Sequence, residues 1–388
     1  MATATPPTPG ATTATPEAPQ SRLAAFRARH AHALDVVFFA LGFCFDALLL
    51  HRIDSVPLLI HQGSYLVLSA AFIGVDHRIR VTGIEPQGAW GRVLSVREWV
   101  IHFLLGTLLN AFVVFYFRAT SILSVSAVFL ALLLTVMVVN ELPRFRAQGP
   151  VVRVALLSFA ATSYFAYLLP LLAGRLRWYL FLAAVALGCV ATWGFYVAAR
   201  RWVRDPLWTA KKALLPGLAV QGVLLGLYLG DVLPPVPLSL RHLGVYYSVA
   251  SEPGADGKRY RLESSKGAAW AFWRGRNDTL WLREGEKPHA FVAVFAPTGF
   301  ADTLSFGWER NDAKRGWVAL GAPTLHALGT GAANREHGFR TFAYASLTEA
   351  GRYRVVVRAS DGRELGRETF FLERDDGTHT EERQVDWR

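Results

Sequence analysis

Cysteine is nearly missing. Cys44 and Cys189 are the only two in 388 residues, and both fall inside long apolar runs. Residues 241–388 contain none, so no disulfide can brace that part of the chain and an apolar core has to hold it. Charge is also scarce, at 18% of residues against 52% hydrophobic, a balance that departs from ordinary soluble domains. Catalytic signatures are absent: there is no His-Glu-x-x-His, no Gly-x-Ser-x-Gly, no Walker loop and no Cys/His spacing suited to zinc. Gly329-Thr-Gly331-Ala-Ala-Asn334 lacks the third glycine of a dinucleotide fingerprint and reads as a loop. His242, His289, His326, His337 and His379 are scattered. These gaps disfavour an enzyme, and the sequence calls for no cofactor and no metal.

What is present is a series of seven apolar runs between Ala33 and Leu240, each long enough to cross a bilayer. The spacing predicts helices over Ala33–His51, Val56–Val75, Trp99–Phe117, Thr120–Asn140, Val151–Leu172, Trp178–Ala199 and Ala213–Leu233. Gaps on the N-terminal side hold 15 Lys/Arg, among them Arg78, Arg80, Arg97 and Arg153, and the opposite gaps hold 4. The positive-inside rule then puts the N-terminus in the cytoplasm and everything after the seventh run outside it. The net charge of +11 follows the same division, since residues 241–388 carry 22 Lys/Arg against 20 Asp/Glu. A near-neutral exported part offers no basic face for nucleic acid. No cleavable signal peptide is expected, because the first run is too long for one and Arg22, Arg27 and Arg29 precede it. That run contains Asp46. Ten strongly apolar neighbours at about −0.5 kcal/mol each outweigh roughly 3 kcal/mol for a mid-helix Asp, so it inserts.

Four regions result: a disordered cytoplasmic tail over 1–31, a seven-helix transmembrane bundle over 32–240, an extracytoplasmic β domain over 241–373, and a charged, frayed tail over 374–388. Pro234, Pro235 and Pro237 favour a stiff extended stem between bundle and β domain. Beyond it, short alternating stretches predict strands at Gly244–Ala250, His289–Ala296, Asp302–Glu309, Gly316–Leu320, Gly338–Ala345, Arg352–Ala359 and Glu364–Leu372. Asp361-Gly362 supplies the residues of a type I′ hairpin turn. Phe291, Val292, Val294 and Phe295 are apolar on both faces, as a central strand requires. Strand number and spacing suggest an all-β, immunoglobulin-like antiparallel sandwich.

Several stretches, taken in order, resemble one family: Phe45-Asp46 with Arg52-Ile-Asp54-Ser55, Phe103-Leu-Leu-Gly106 running to Phe115-Tyr116-Phe117-Arg118, Asn140-Glu141, Leu233-Pro-Pro-Val-Pro-Leu-Ser-Leu240, and Gly338-Phe-Arg340-Thr-Phe with Asp361-Gly362. The family is one of uncharacterised bacterial multi-pass membrane proteins ending in a domain of unknown function, number twenty-nine fourteen. The resemblance runs over residues 33–373 and implies membrane placement, with no activity, substrate or cofactor to carry over. Ala322–Glu336 departs from the family pattern by its length and its Gly/Ala content.

Asp46, Arg52, Asp54, Arg118 and Asp231 all fall at or near extracytoplasmic helix ends. Charges at that depth need partners, which predicts a polar cluster roofed by the β domain. It reads either as an ion, proton or headgroup site or as an ion-paired network fixing helix register, the second being preferred. Asn110 and His102 read as packing contacts. Asn140-Glu141 opposes a helix macrodipole and calls for a cytoplasmic Arg. In the β domain, Trp308, Arg340, Phe342 and Tyr344 are the candidate binding surface, set against the plainer reading that most aromatics there, including Trp270, Trp273, Trp281 and Trp317, fill the core. The leading functional expectation is a bacterial inner-membrane protein whose periplasmic or exterior β domain binds an envelope protein or glycan. A transporter or channel gated by that domain, and an intramembrane or lipid-modifying enzyme, are the alternatives. The lipid bilayer is the one partner required under all three.

Overall fold

The computed structural model describes residues 55–84, 87–120, 124–141, 149–203, 205–254, 257–265, 278–297, 299–328, 338–377 and 383–388. The expected first helix, and Asp46, Arg52 and Asp54 with it, lie outside these residues. So do Trp270, Trp273, Gly329–Asn334 and His337.

Apolar runs become helices where proline can start them and glycine can stop them. Helix α1 (Val56–Thr82) opens with Pro57 in its first turn and closes on Gly83 at φ 65°, whose N–H returns to Ile79 O. A short helix, α2 (Gly88–Ser95), follows with Trp90 and Val93 exposed. Then come α3 (Arg97–Ala119) and α4 (Ser126–Glu141). Helix α5 (Pro150–Ala173) again starts at proline and ends at a left-handed glycine, Gly174. Helix α6 (Trp178–Ala199) follows after a tight turn. The last helix, α7 (Pro206–Leu229), begins seven residues before the expected Ala213, because Asp205 caps it by accepting from Leu207 N–H at 2.9 Å. A π turn over Ala210–Leu214 absorbs the extra length. Five of these helices (α1, α3, α5, α6, α7) are long and apolar enough to cross a membrane, and α4 is a shorter apolar helix. Helix α3 is innermost, with 61% of its apolar window buried against 17% for α1. Its Leu108, Phe112, Phe115 and Tyr116 pack with Phe129, Tyr167, Phe181 and Leu224 from four other helices.

The expected extended stem is absent. After α7 the chain coils through consecutive turns, with Val236 N–H on Pro234 O at 2.9 Å and Leu238 N–H on Pro235 O at 3.0 Å. The reason is burial: Leu233 and Val236 join the helical core, while Leu238 joins the β core. Hydrophobic gain overrides the extended preference of the prolines, and the β domain sits directly on the helix ends.

Among the described residues twelve strands follow: β1 (Ser239–Tyr246), β2 (Ser248–Gly254), β3 (Gly257–Ser265), β4 (Thr279–Leu282), β5 (His289–Phe295), β6 (Thr303–Asp312), β7 (Gly316–Ala319), β8 (Thr324–Ala327), β9 (Phe339–Tyr344), β10 (Gly351–Arg358), β11 (Glu364–Arg374) and β12 (Arg383–Trp387). They form three sheets, ordered β1-β5-β9, β4-β11-β10-β6-β7 with β8 also on β6, and β12-β3-β2. Among the described residues the pairings are antiparallel except β4 with β11. The β1-β5-β9 sheet is the middle layer. Val245, Val292 and Val294 on one face meet Phe306, Val355, Val357 and Phe370 of the large sheet. Tyr246, Phe291 and Ala293 on the other meet Val249, Tyr260 and Leu262 of the third. Two covered faces explain why β5 reads as apolar throughout.

Two expectations need correction. The 374–388 tail is not wholly frayed, because Arg383–Trp387 pairs with Arg261–Ser265 as a strand. The hairpin at Asp361-Gly362 forms, but only Gly362 has positive φ (92°). Gly362 N–H bonds Ala359 O at 3.0 Å and Ala359 N–H bonds Arg363 O at 2.9 Å, a type I turn closed by a glycine bulge in place of type I′.

Candidate functional site

The β domain meets the helices through a seat built from charged and backbone groups. Gly174, at the α5–α6 turn, accepts from Ala301 N–H at 2.7 Å. A side chain there would approach Gly299 O within 3.2 Å in a left-handed backbone, so glycine is required. Beside it, Asp302 has a fully buried side chain. Its carboxylate accepts from Leu176 N–H at 3.0 Å and Thr303 N–H at 2.8 Å and faces Arg177 at 3.5 Å. Arg177 donates to Ser360 Oγ, which donates to Leu176 O at 2.7 Å. From the β10–β11 turn, buried Arg363 donates to Asp361 at 2.6 Å and to Pro234 O at 2.7 Å, with its guanidinium over the Tyr228 ring of α7. Each buried charge is paired and hydrogen-bonded, the condition under which burial is tolerated.

Of the expected outer cluster, Arg118 ends α3 and Asp231 follows α7. Asp231 is exposed, has φ 55°, and makes no ion pair among the described residues. The buried charges at this end are Asp302, Asp361 and Arg363, which their positions in strand and turn segments did not single out.

At the opposite end of the bundle lies a second charged cluster. Asp76, with 4% of its side chain exposed, sits two turns before the end of α1. One carboxylate oxygen accepts from Arg80 Nε and Arg153 Nη1, both at 2.7 Å, and the other from Arg97 Nε at 2.9 Å. Glu98 takes a further bond from Arg80 at 2.5 Å. One carboxylate thus ties α1 to the first turns of α3 and α5. Sequence reasoning read Arg80, Arg97 and Arg153 only as topology signals. The available clue was Asp76 itself, an acid directly after the run Val56–Val75 and next to Arg78 and Arg80.

Between these ends the hydrogen bonds among the described helices join neutral groups. Ser158 Oγ lies 3.0 Å from Thr192 Oγ1, which donates to Gly188 O at 2.8 Å. Thr162 donates to Gln221 Oε1 at 2.7 Å, and Gln221 Nε2 donates to Ser158 O at 3.3 Å. Gly188 and Gly217 make room, since a Cβ at either would come within 2.1 Å of Thr162 or 2.4 Å of Thr192. A groove of about 450 Å³ on the α3–α4–α5–α7 side is lined by apolar residues such as Leu109, Phe129, Leu156 and Val223. Among the described residues no His/Cys/Asp/Glu group could hold a metal.

In the β domain, Arg340, Phe342 and Tyr344 alternate along β9 on one face. Arg340 donates to Lys258 O at 2.8 Å and lies over Tyr260, and Phe342 packs with Tyr260 and His289. Tyr344 is 56% exposed, with Lys287 over its ring. Trp308 is buried in the core, edge-on to Phe370. Burial raises the Tyr260 hydroxyl above its usual range, partly offset by Arg340. His326 accepts or donates to Thr341 Oγ1 at 3.0 Å across two sheets, and burial lowers its pKa below 6.5.

No family model and no curated protein matches the chain. One solved structure that does match is the Pseudomonas fluorescens alkylpurine DNA glycosylase AlkC bound to DNA containing an abasic site analog. It is 12% identical, with 83% of this chain and 98% of that chain covered and a TM-score of 0.21, too low to indicate a shared fold.

Proposed function

We propose that the chain crosses the bacterial inner membrane seven times, with Ala33–His51 as the first crossing, and holds an immunoglobulin-like sandwich backed by a third sheet on the extracytoplasmic side. The β domain then serves as a binding or adaptor module for an envelope component. The observation that carries this reading is the seat: Asp302, Ser360 and Arg363 clamp the sheets onto Leu176, Arg177 and Pro234. A domain that only needed tethering would gain nothing from buried ion pairs at its base, whereas one that presents a surface at a set orientation would. The described hydrogen bonds of the helix interior favour this over transport, since Ser158, Thr162, Thr192 and Gln221 are neutral, bond one another and lie beside an apolar groove.

The test is photo-crosslinking in intact cells from Trp317, Leu325 and Tyr344, combined with a reporter fused after Arg388. The reading expects adducts with envelope material from at least one position and a reporter silent in the cytosol. A reporter active only in the cytosol would overturn the topology. Absence of any adduct, together with solute flux in proteoliposomes, would replace display with transport.

A further inference from the structure

The outer face of the large sheet carries a row of arginines that the seat does not use. Along β10, Tyr353, Val355 and Val357 point into the core, so Arg352, Arg354, Val356 and Arg358 point the other way. Register sets Phe371 of β11 beside Arg352, Arg367 beside Val356, and Glu309 of β6 beside Arg354. Four arginines therefore share this face with three carboxylates, Glu309, Glu364 and Glu373. Glu309 serves Arg354 at 2.5 Å and Arg358 at 3.8 Å, while Glu364 serves Arg367. Arg352 is exposed and has no ion pair among the described residues. Its guanidinium lies 5.6 Å from the Trp317 ring centre and 5.8 Å from that of Phe371. Trp317 also stacks on Arg354 at 4.3 Å.

The surplus of positive charge is local, since residues 241–388 as a whole are nearly balanced. Two rings hold Arg352, and among the described residues nothing bonds its N–H fork, a geometry suited to a planar carboxylate. Arg358 lies six residues further along the same strand, about 20 Å away, so one extended polymer can reach both. The face presents guanidinium groups and two rings, a chemistry that suits an acidic polymer better than the buried apolar anchors of a protein hot spot.

We propose that this face binds a linear glycan bearing carboxylates, with Arg352 gripping a carboxylate and Trp317 and Phe371 receiving sugar rings. The proposal rests on the display reading and names its ligand class. The experiment uses the full chain in nanodiscs of zwitterionic lipid, with polygalacturonate, dextran and poly-glutamate as probes. Polygalacturonate should bind, weaken with added salt, and weaken about tenfold or more in Arg352→Gln and Trp317→Ala, each costing one charge-assisted or stacking contact. Dextran should not bind. Unchanged binding in both variants, or none in the parent, overturns the proposal. Poly-glutamate binding as tightly as polygalacturonate also overturns it, in favour of an acidic protein. Crosslinks from Leu325 or Tyr344 that persist in any of these cases would show that display stands and only this face was misassigned.

Discussion

Replacing Asp76 by alanine removes the acceptor shared by three guanidinium groups. Arg97 and Arg153 keep only 16% and 14% of their side chains exposed, so neither can turn to water without disturbing the helix ends. Breaking a buried pair by deleting one partner costs about 3–5 kcal/mol, mostly from the charge left behind. Arg80 supplies an internal control. It is 41% exposed and has Glu98 as a second partner, so Arg80→Gln should cost no more than about 1 kcal/mol. Reversible SDS unfolding of the purified full chain, followed by helix circular dichroism, measures both. Asp76→Ala losing under about 1 kcal/mol, or no more than Arg80→Gln, would refute the claim that Asp76 ties α1 to α3 and α5.

Four further outcomes follow from the same geometry. Gly188→Ala places a methyl 2.1 Å from Thr162 Oγ1 and should destabilise the bundle by about 1–3 kcal/mol through overpacking; a neutral result in the same SDS assay would mean α5 and α6 can part freely. Gln62 is buried with neither amide atom bonded among the described residues, so Gln62→Leu should be neutral or stabilising by up to about 3 kcal/mol, and a clear loss would reveal a partner from elsewhere in the chain. Asp302→Ala strands the buried Leu176 N–H and should speed hydrogen exchange across 174–177, with about 1–3 kcal/mol lost; unchanged exchange would count against the seat. The His326 pKa is lowered by burial, so as pH falls through 6.5 the unfolded chain takes up a proton before the folded one does, and β-domain stability drops until pH passes the folded value. Denaturant unfolding at pH 7.5, 6 and 5 should show this slope flattened in His326→Gln; equal slopes would exclude His326 as its source.

Much of the architecture was legible because burial follows simple periods. The helices Val151–Leu172 and Trp178–Ala199 differ from the observed α5 and α6 by a residue or none at each end, since Pro150 and Gly174 punctuate the first and Arg177 and Arg200 bound the apolar run of the second. The strands around Val292 and Val355 were equally plain. Strands β3 and β12 were hidden because Arg259, Arg261, Glu263 and Arg383 give them the look of charged loop, and β4 and β8 because four residues each are too few to show an alternation; only pairing with a neighbour reveals them. The proline segment misled because its residues favour extension locally, while Leu233 and Leu238 belong to two different cores. Asp76, Asp302 and Arg363 were illegible for a related reason: their partners lie 77, 126 and 129 residues away.

The short proline turn has a mechanical consequence. Leu233 and Leu238 are anchored on either side of a connection that can stretch to at most about 17 Å, and its slack is already taken up by hydrogen bonds. A load pulling on the sheets has no compliant leash in which to dissipate. It passes lengthwise into α7, where the π turn at Ala210–Leu214 interrupts the regular ladder, and through the seat into the α5–α6 turn, so tension on the sheets is shared by three helices.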